Sequence, residues 1–528
     1  MPQPLPNPAP GSTLEERALA WPLVLAVTVL LGCQALQLVL ACRGNGGAFA
    51  YPLDDAYIHL AMARTLAETF GLGITEHAFA SASSSPLWLL LLASGWWAFG
   101  PCVWLPLGLA TAAALLLVVA ADRIWRRAGL PARWRLLSLL ALVLLVPLPT
   151  LANSGMEHTL HAWLAVVLLE RLQRLGPHSG RAERIGLLGA AAAFGAVRLE
   201  SAFLLVVALG WLAWRRAVGM AVLAGFAASV AWLWLGAVAL RHGGFLLPNS
   251  IVLKGGRVPI PGIDPAQHGL LTGLRALVRR GHIGMLVATL ATLFGLGRGR
   301  ANTAALGSLM VVLLAVLLHV QWARLGWFYR YEAYLIAAAV VFAVPVVGPA
   351  WATRGSAARW LLGSVLVVAT GALVPRALRA FVDLPRASAH THRQNVQVGR
   401  FLAEHGNGRP VAVNDIGAVA LLGKAPVLDL VGLADIEVAR ARCAGTFDAA
   451  FVRDLATRRG ISLAVVYEDW FPGQLPPEWR RLARWRVAEP FWGATVAFFA
   501  VDPRDEGHWQ QALERMAPLL PDGVVVTP

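Results

Sequence analysis

Apolar residues gather into runs of about twenty from Trp21 to about Val374, broken by short arginine-rich turns. The first run, WPLVLAVTVLLGCQALQLVLAC (Trp21 to Cys42), is long enough to cross ~30 Å of hydrocarbon as a helix. No small-residue cleavage site follows it, so it is expected to stay as an anchor. Length and flanking charge predict about eleven spans. Residues 1–17 are proline-rich, which predicts a disordered cytoplasmic tail. One run is short. PLWLLLLASGWWAF (Pro86 to Phe99) suits a re-entrant or interfacial helix better than a crossing. Counting it as a span would turn the arginines at 123–135 outward, against the positive-inside rule. It is therefore placed in a first external loop, 43–101, of a transmembrane domain running from 18 to 379. After about Arg379 the pattern changes: RPVAVNDIGAVALLG and GISLAVVYEDWF alternate short β-rich runs with turns and polar helical stretches. The chain reads as a polytopic α-helical membrane protein with a C-terminal extracytoplasmic α/β domain over 380–528.

Composition narrows this further. At 57% hydrophobic and 14% charged, the 528 residues fall outside the soluble range. The net charge of +15 lies in the membrane half, where cytoplasmic arginine turns produce it without any nucleic-acid partner. The 4 cysteines, Cys33, Cys42, Cys102 and Cys443, are too scattered for a disulfide framework or a metal cluster. Lys254 and Lys424 are the only lysines in a chain that otherwise uses arginine.

Asp54 and Asp55 come just after the first apolar run, near a bilayer where ionised side chains are costly. One reading is a helix start, an acidic first turn favoured by the helix dipole. The other is chemical: a partly desolvated carboxylate gains basicity while its neighbour orients it or binds a cation. The residues leave both open. On the same topology Glu157, Glu200, Glu332, Arg198, Lys254, Arg330 and His158 fall at outer ends of spans, which predicts a polar cavity there. Each also has a plainer reading. Lys254 fits a solvated loop, Arg330 an interfacial anchor among Trp327, Tyr329 and Tyr331, and Arg198 with Glu200 an internal ion pair. VRLES is expected to split one apolar stretch into two helical halves. The histidines His59, His77 and His158 lack metalloprotease or zinc spacing, and NDIGAVALLG lacks the G-x-G-x-x-G of a dinucleotide loop.

In chain order, the acidic pair with GLGITEH and SSSPLW, then SGMEHTL (154–160), VRLESAFLL (197–205), PNSIVLKGG (248–256), YRYEAYLI (329–336) and VNDIGAVALLGKAPVLDLVGLAD (413–435) resemble one family. It is the GT-C glycosyltransferases, most closely the bacterial cell-wall arabinofuranosyltransferase branch. The resemblance implies a GT-C-like fold in the bacterial cytoplasmic membrane, with the active site on the extracytoplasmic side. It implies transfer of a sugar, arabinofuranose in that branch, from a polyprenyl-phosphate donor to an acceptor hydroxyl, with inversion. Asp54 would be the base and Asp55 its orienter or the ligand of a divalent cation such as Mg or Mn. Lys254 and Arg330 would meet the departing lipid phosphate. Glu157, Arg198, His77, Asn249 and Tyr331 would complete substrate binding. The implied partners are that donor, membrane lipid, and a glycan, lipid or protein acceptor. RLE replaces the arginine–proline–glutamate common in the branch, and Glu332 stands where an apolar residue is expected; both bear on the identity of the sugar. Two alternatives remain. A transporter or flippase of lipid-linked intermediates would show two related halves, and no internal repeat is found. A non-catalytic scaffold of an envelope-assembly complex has no need of charges at one membrane depth.

Overall fold

The structure, a computed structural model, describes residues 12–176, 178–255, 269–298, 303–353, 355–423, 425–492 and 495–528. Among them, 5 helices are long and apolar enough to cross a membrane: Ala20–Gly44, Leu105–Arg127, Val218–Arg241, Ala304–Trp322 and Ser356–His405. The pair Leu270–Arg279 and Gly281–Gly297, bent by 101°, makes a sixth if it is one span. This differs from the expected count of about eleven because several apolar runs form shorter helices. Ala132–Leu145 and Ser201–Trp214 have 14 residues each, and His158–Arg174 and Arg181–Val197 have 17. VRLES is one of the breaks: the helix ending at Val197 and the helix starting at Ser201 flank Arg198–Glu200.

The His158–Arg174 helix packs against Leu105–Arg127, Arg181–Val197 and Ala333–Thr353. It starts beside buried Glu157 and ends at Arg171 and Arg174, so acidic and arginine-rich ends lie a helix length apart. At the arginine-rich end Asp122 accepts from Arg126 at 2.7 Å and from Arg135 at 2.9 Å, closing the turn between two helices.

Between Arg43 and Pro101 the chain builds two helices, Asp54–Thr69 and Pro86–Phe99. The second is too short to span, since its 14 residues rise about 21 Å. Pro86 opens it, and the Ser85 hydroxyl caps it by accepting from the Trp88 amide at 3.3 Å. Its buried side chains Trp88, Leu89, Leu92, Ala93 and Trp96 recur at helical spacing, and it packs on the Asp54–Thr69 helix.

The composition change near Arg379 falls inside a helix. Ser356–Thr391 continues through a π-turn, His392–Val396, into Gln397–His405 and so enters the C-terminal domain without a linker. That domain holds β1 (Val411–Val413), β2 (Val427–Asp429), β3 (Leu463–Val466), β4 (Arg480–Val487), β5 (Thr495–Ala500) and β6 (Val524–Thr527). They form one sheet in the order β2-β1-β3-β5-β4-β6. The β2-β1-β3 part is parallel, crossed over by helices, and the remainder is antiparallel. Ile58, Ala61 and Met62 of the first loop share one continuous hydrophobic core with Ile416, Val419 and Ala420 of this domain. Burial of that surface seats the domain directly on the loop.

Candidate active site

Asp54 and Asp55 occupy the first turn of their helix, where successive side chains diverge by about 100°. They serve two different surfaces. Asp55 lines a cavity of about 180 Å³, keeps 41% of its side chain exposed, and accepts from Arg330 Nη2 at 2.5 Å. Asp54 turns to the C-terminal domain. Its Oδ2 accepts from the Gly417 amide at 2.7 Å and its Oδ1 from the Ala418 amide at 2.9 Å. Loss of surrounding water pushes the Asp54 carboxyl up to about 7; the Asp415 charge adds to this and the two amides oppose it. Asp415 is also raised by burial, against the hydrogen bonds it accepts from Tyr467 and Asn395. Of the two carboxylates, Asp55, expected as the orienter, lines the cavity, and Asp54, expected as the base, does not.

Around Asp55 the cavity is lined by His59 from the same helix, Arg198 and Glu200 from the VRLES break, and Arg324, Trp327, Arg330 and Tyr331 from the segment before Ala333. Each guanidinium nitrogen of Arg198 is bonded. The side chain pairs with Glu157 through Nη1 and with both Glu200 oxygens, at 3.0 Å through Nε and 2.7 Å through Nη2. The Arg330 atoms Nε and Nη1 are buried with no hydrogen-bond partner among the described residues. Both guanidinium groups lie over the Tyr331 ring, Arg198 at 5.4 Å and Arg330 at 5.3 Å. Arg324 lies over Trp327 at 4.7 Å. His59 Nε2 stands 3.9 Å from Glu157, and burial pushes its imidazole down, so it is neutral at pH 7.

The segment carrying the arginines is strained and held. Phe328 (φ 47°) and Tyr329 (φ 63°) adopt the left-handed conformation that non-glycine residues seldom take. Glu332 accepts from the Gly326 amide at 2.8 Å, and Arg376 donates to Glu332 at 3.0 Å and to the Tyr329 carbonyl at 2.5 Å. Glu332, expected among the cavity charges, is fully buried behind them as the anchor of this segment.

The other expected residues divide. Glu157 is buried outside the cavity and acts on it through Arg198. His158 is buried beside Tyr331, with ring centroids 6.3 Å apart, and does not line the cavity. Asn249 is also buried and donates to the Gly432 carbonyl at 3.1 Å, tying its loop to the C-terminal domain while Pro248 and Ser250 reach the cavity. His77 is not in the cavity; it is exposed, 4.0 Å from Glu76. The backbone of Lys254 lies in the helix Asn249–Gly255, and its side chain lies outside the described residues. Arg324, Ser84, Ser250 and Leu433 also line the cavity and were not expected. A signal for Arg324 exists in the sequence, where RLGWFYRYE interleaves basic and aromatic residues after a span.

A resident divalent cation does not fit this donor set. Among the described residues no three His, Cys, Asp or Glu side chains converge, and Arg330 is bonded to the Asp55 carboxylate.

Solved structures place the architecture. ArnT from Cupriavidus metallidurans bound to undecaprenyl phosphate matches with a TM-score of 0.57 at 14% identity, over 92% of this chain and 99% of that one. The chain has the GT-C fold. The apo form of the same ArnT matches the chain with a TM-score of 0.55, 14% identity and the same coverage. Arabinofuranosyltransferase AftD from Mycobacteria gives 0.47 at 19% identity, over 90% of this chain and 40% of that one, too loose a likeness to place the chain in that branch. Residues 385–504 match the model of a domain of unknown function, DUF8728, which falls within the α/β domain attached to the GT-C helices. No curated protein matches the chain in sequence.

Proposed function

We propose that this chain transfers a sugar from a polyprenyl-phosphate donor to an acceptor hydroxyl at the outer face of the bacterial cytoplasmic membrane. One observation carries the reading: two carboxylates, Asp55 and Glu200, and three arginines converge on a single cavity, and Arg330 has two buried nitrogen donors without a partner among the described residues. Buried unpaired donors of a cation are costly, and an anionic ligand would satisfy them. ArnT, whose fold the chain shares, was solved with undecaprenyl phosphate, which supports a lipid phosphate as that anion.

Asp55 is the base in this reading. The donor phosphate takes up Arg330, which releases the Asp55 carboxylate for the acceptor. The acceptor oxygen attacks the anomeric carbon as its proton moves to Asp55. The bond from that carbon to the phosphate oxygen breaks, and polyprenyl phosphate leaves with the electron pair. Arg330 and Arg324 stabilise the charge that grows on the leaving phosphate. Lys254 is proposed as the further phosphate contact on the motif resemblance. A single displacement inverts the anomeric centre. Arabinofuranose is the sugar we propose, on the motif resemblance. No step is routed through a metal ion.

The test compares surface glycans, by mass spectrometry, from cells lacking the protein, cells with the unaltered chain and cells with Asp55→Asn. The unaltered chain restores a mass increment that names the sugar. Asp55→Asn lowers its accumulation rate by about 10²–10⁴, the range for loss of a general base. Full transfer by this variant would remove the assignment.

A further inference from the structure

We infer that the C-terminal domain positions the Asp55 carboxylate by clamping the helix that carries it, with Asp54 and Arg64 as the two jaws. The inference rests on Asp55 being the base. Asp54 accepts from the Gly417 and Ala418 amides at 2.7 and 2.9 Å. Ten residues along, buried Arg64 donates to the Leu421 carbonyl at 2.8 Å and to the Ala420 carbonyl at 3.1 Å. The segment Gly417–Gly423 thus meets a carboxylate at its amide end and a guanidinium at its carbonyl end. Each charge is of the sign its end attracts.

Three features make this contact a locator rather than a loose surface. Gly417 permits the close approach: a Cβ there would stand 2.3 Å from the Asp54 carbonyl oxygen and 2.8 Å from the Ile58 nitrogen. Its backbone is not left-handed, so glycine is required by the contact and not by the turn. The socket behind it is braced by the sheet. Asn395 and Tyr467 donate to Asp415 at 2.9 and 2.8 Å, and the Tyr467 amide donates to Asn414 Oδ1 at 2.8 Å. Between the jaws, Ile58, Ala61 and Met62 share a core with Ile416, Val419 and Ala420. Neither Asp54 nor Arg64 lines the cavity. Rotation or sliding of the helix would carry Asp55 with it, and a displacement of ~1 Å at a reacting group costs on the order of a hundredfold in rate. The domain of unknown function thereby sets the register of the base.

The test uses the full chain expressed in cells lacking it, with two readouts. Transfer is the rate at which the glycan mass increment returns on induction. Binding of undecaprenyl phosphate to the purified protein in detergent is followed by native mass spectrometry. Asp54→Ala should lower transfer about a hundredfold while undecaprenyl phosphate binding stays within about twofold. Gly417→Ala, made in the other domain, should do the same, and the double variant should be no slower than the slower single, because both act through one contact. Asp54→Ala at full rate, or two losses that multiply, overturns the inference. Should Asp54→Ala fail to accumulate, Arg64→Ala at the far jaw decides: a loss of about tenfold or more supports the clamp, and full transfer overturns it. Full transfer by Asp55→Asn would instead overturn the reading of the site. An inactive Asp55→Asn beside a fully active Asp54→Ala removes the clamp alone.

Discussion

Arg198 and Arg330 are the same residue type, both buried and both packed on the Tyr331 ring, yet their surroundings make them opposites. Arg198 is enclosed by Glu157 on one helix and Glu200 two residues along its own chain, so its charge is met within the protein. Arg330 is bonded to one partly exposed carboxylate and keeps two buried donors unmatched. A closed ion pair fixes helices in register. In the proposed reading, an arginine left short of acceptors is held for a ligand that arrives. The two therefore teach how to separate framework charge from working charge in one cavity: by counting acceptors against donors, not by burial.

The largest effect expected from breaking this comparison is on Arg198. Arg198→Ala strands Glu157, which is 0% exposed, and removing one partner of a buried pair costs about 3–5 kcal/mol. Melting of the purified protein in detergent should drop steeply and yield should fall with it; an unchanged Tm would mean that Arg198 is not framework. Arg330→Ala should do the reverse. Its partner Asp55 is partly exposed and can be rehydrated, so Tm should hold, while transfer falls by about 10²–10³ as for loss of a charge-stabilising donor. Binding of undecaprenyl phosphate should weaken in the same variant. Equal binding with and without Arg330 would return it to the role of interfacial anchor.

A smaller effect tests what keeps Arg330 in place. Phe328 and Tyr329 hold left-handed backbone at a cost of roughly 1–3 kcal/mol each, which persists only where surrounding contacts enforce it. Glu332 and Arg376 supply those contacts. Glu332→Gln keeps the side-chain shape and loses the charge, so the segment loosens without collapsing. Transfer should fall about tenfold, less than for Arg330→Ala, with undecaprenyl phosphate binding weakened in parallel. Loss of transfer with binding unchanged would separate Glu332 from the Arg330 segment.

The short Pro86–Phe99 run and the arginine turns were legible because length and charge are one-dimensional properties. So was the VRLES break, since charges in an apolar run must interrupt it. The direction of each carboxylate was not legible. Asp54 and Asp55 are adjacent in sequence, and which one meets the cavity depends on a partner at Gly417, 363 positions away from Asp54. The same NDIGAVALLG segment that failed as a cofactor loop supplies that partner, because its glycine allows close approach. Glu332 was expected in the cavity and lies behind it. Depth follows from position along a span, whereas facing depends on helix rotation, which a uniformly apolar segment leaves undetermined.

The smallest expected effect marks where the working side of the comparison ends. His77 belongs to the first loop by sequence and was expected at the substrate, but it is 42% exposed and stands 4.0 Å from Glu76, itself 67% exposed. A surface pair of this kind contributes about 0–1 kcal/mol and organises nothing around it. His77→Ala should leave both transfer and undecaprenyl phosphate binding within about twofold of the unaltered chain. A tenfold loss of transfer with binding intact would show that the acceptor, for which Asp55 is the assigned contact, reaches out over the loop beyond the cavity. Working charge would then extend past the cavity arginines, and an unmatched buried donor would no longer be the mark that identifies it.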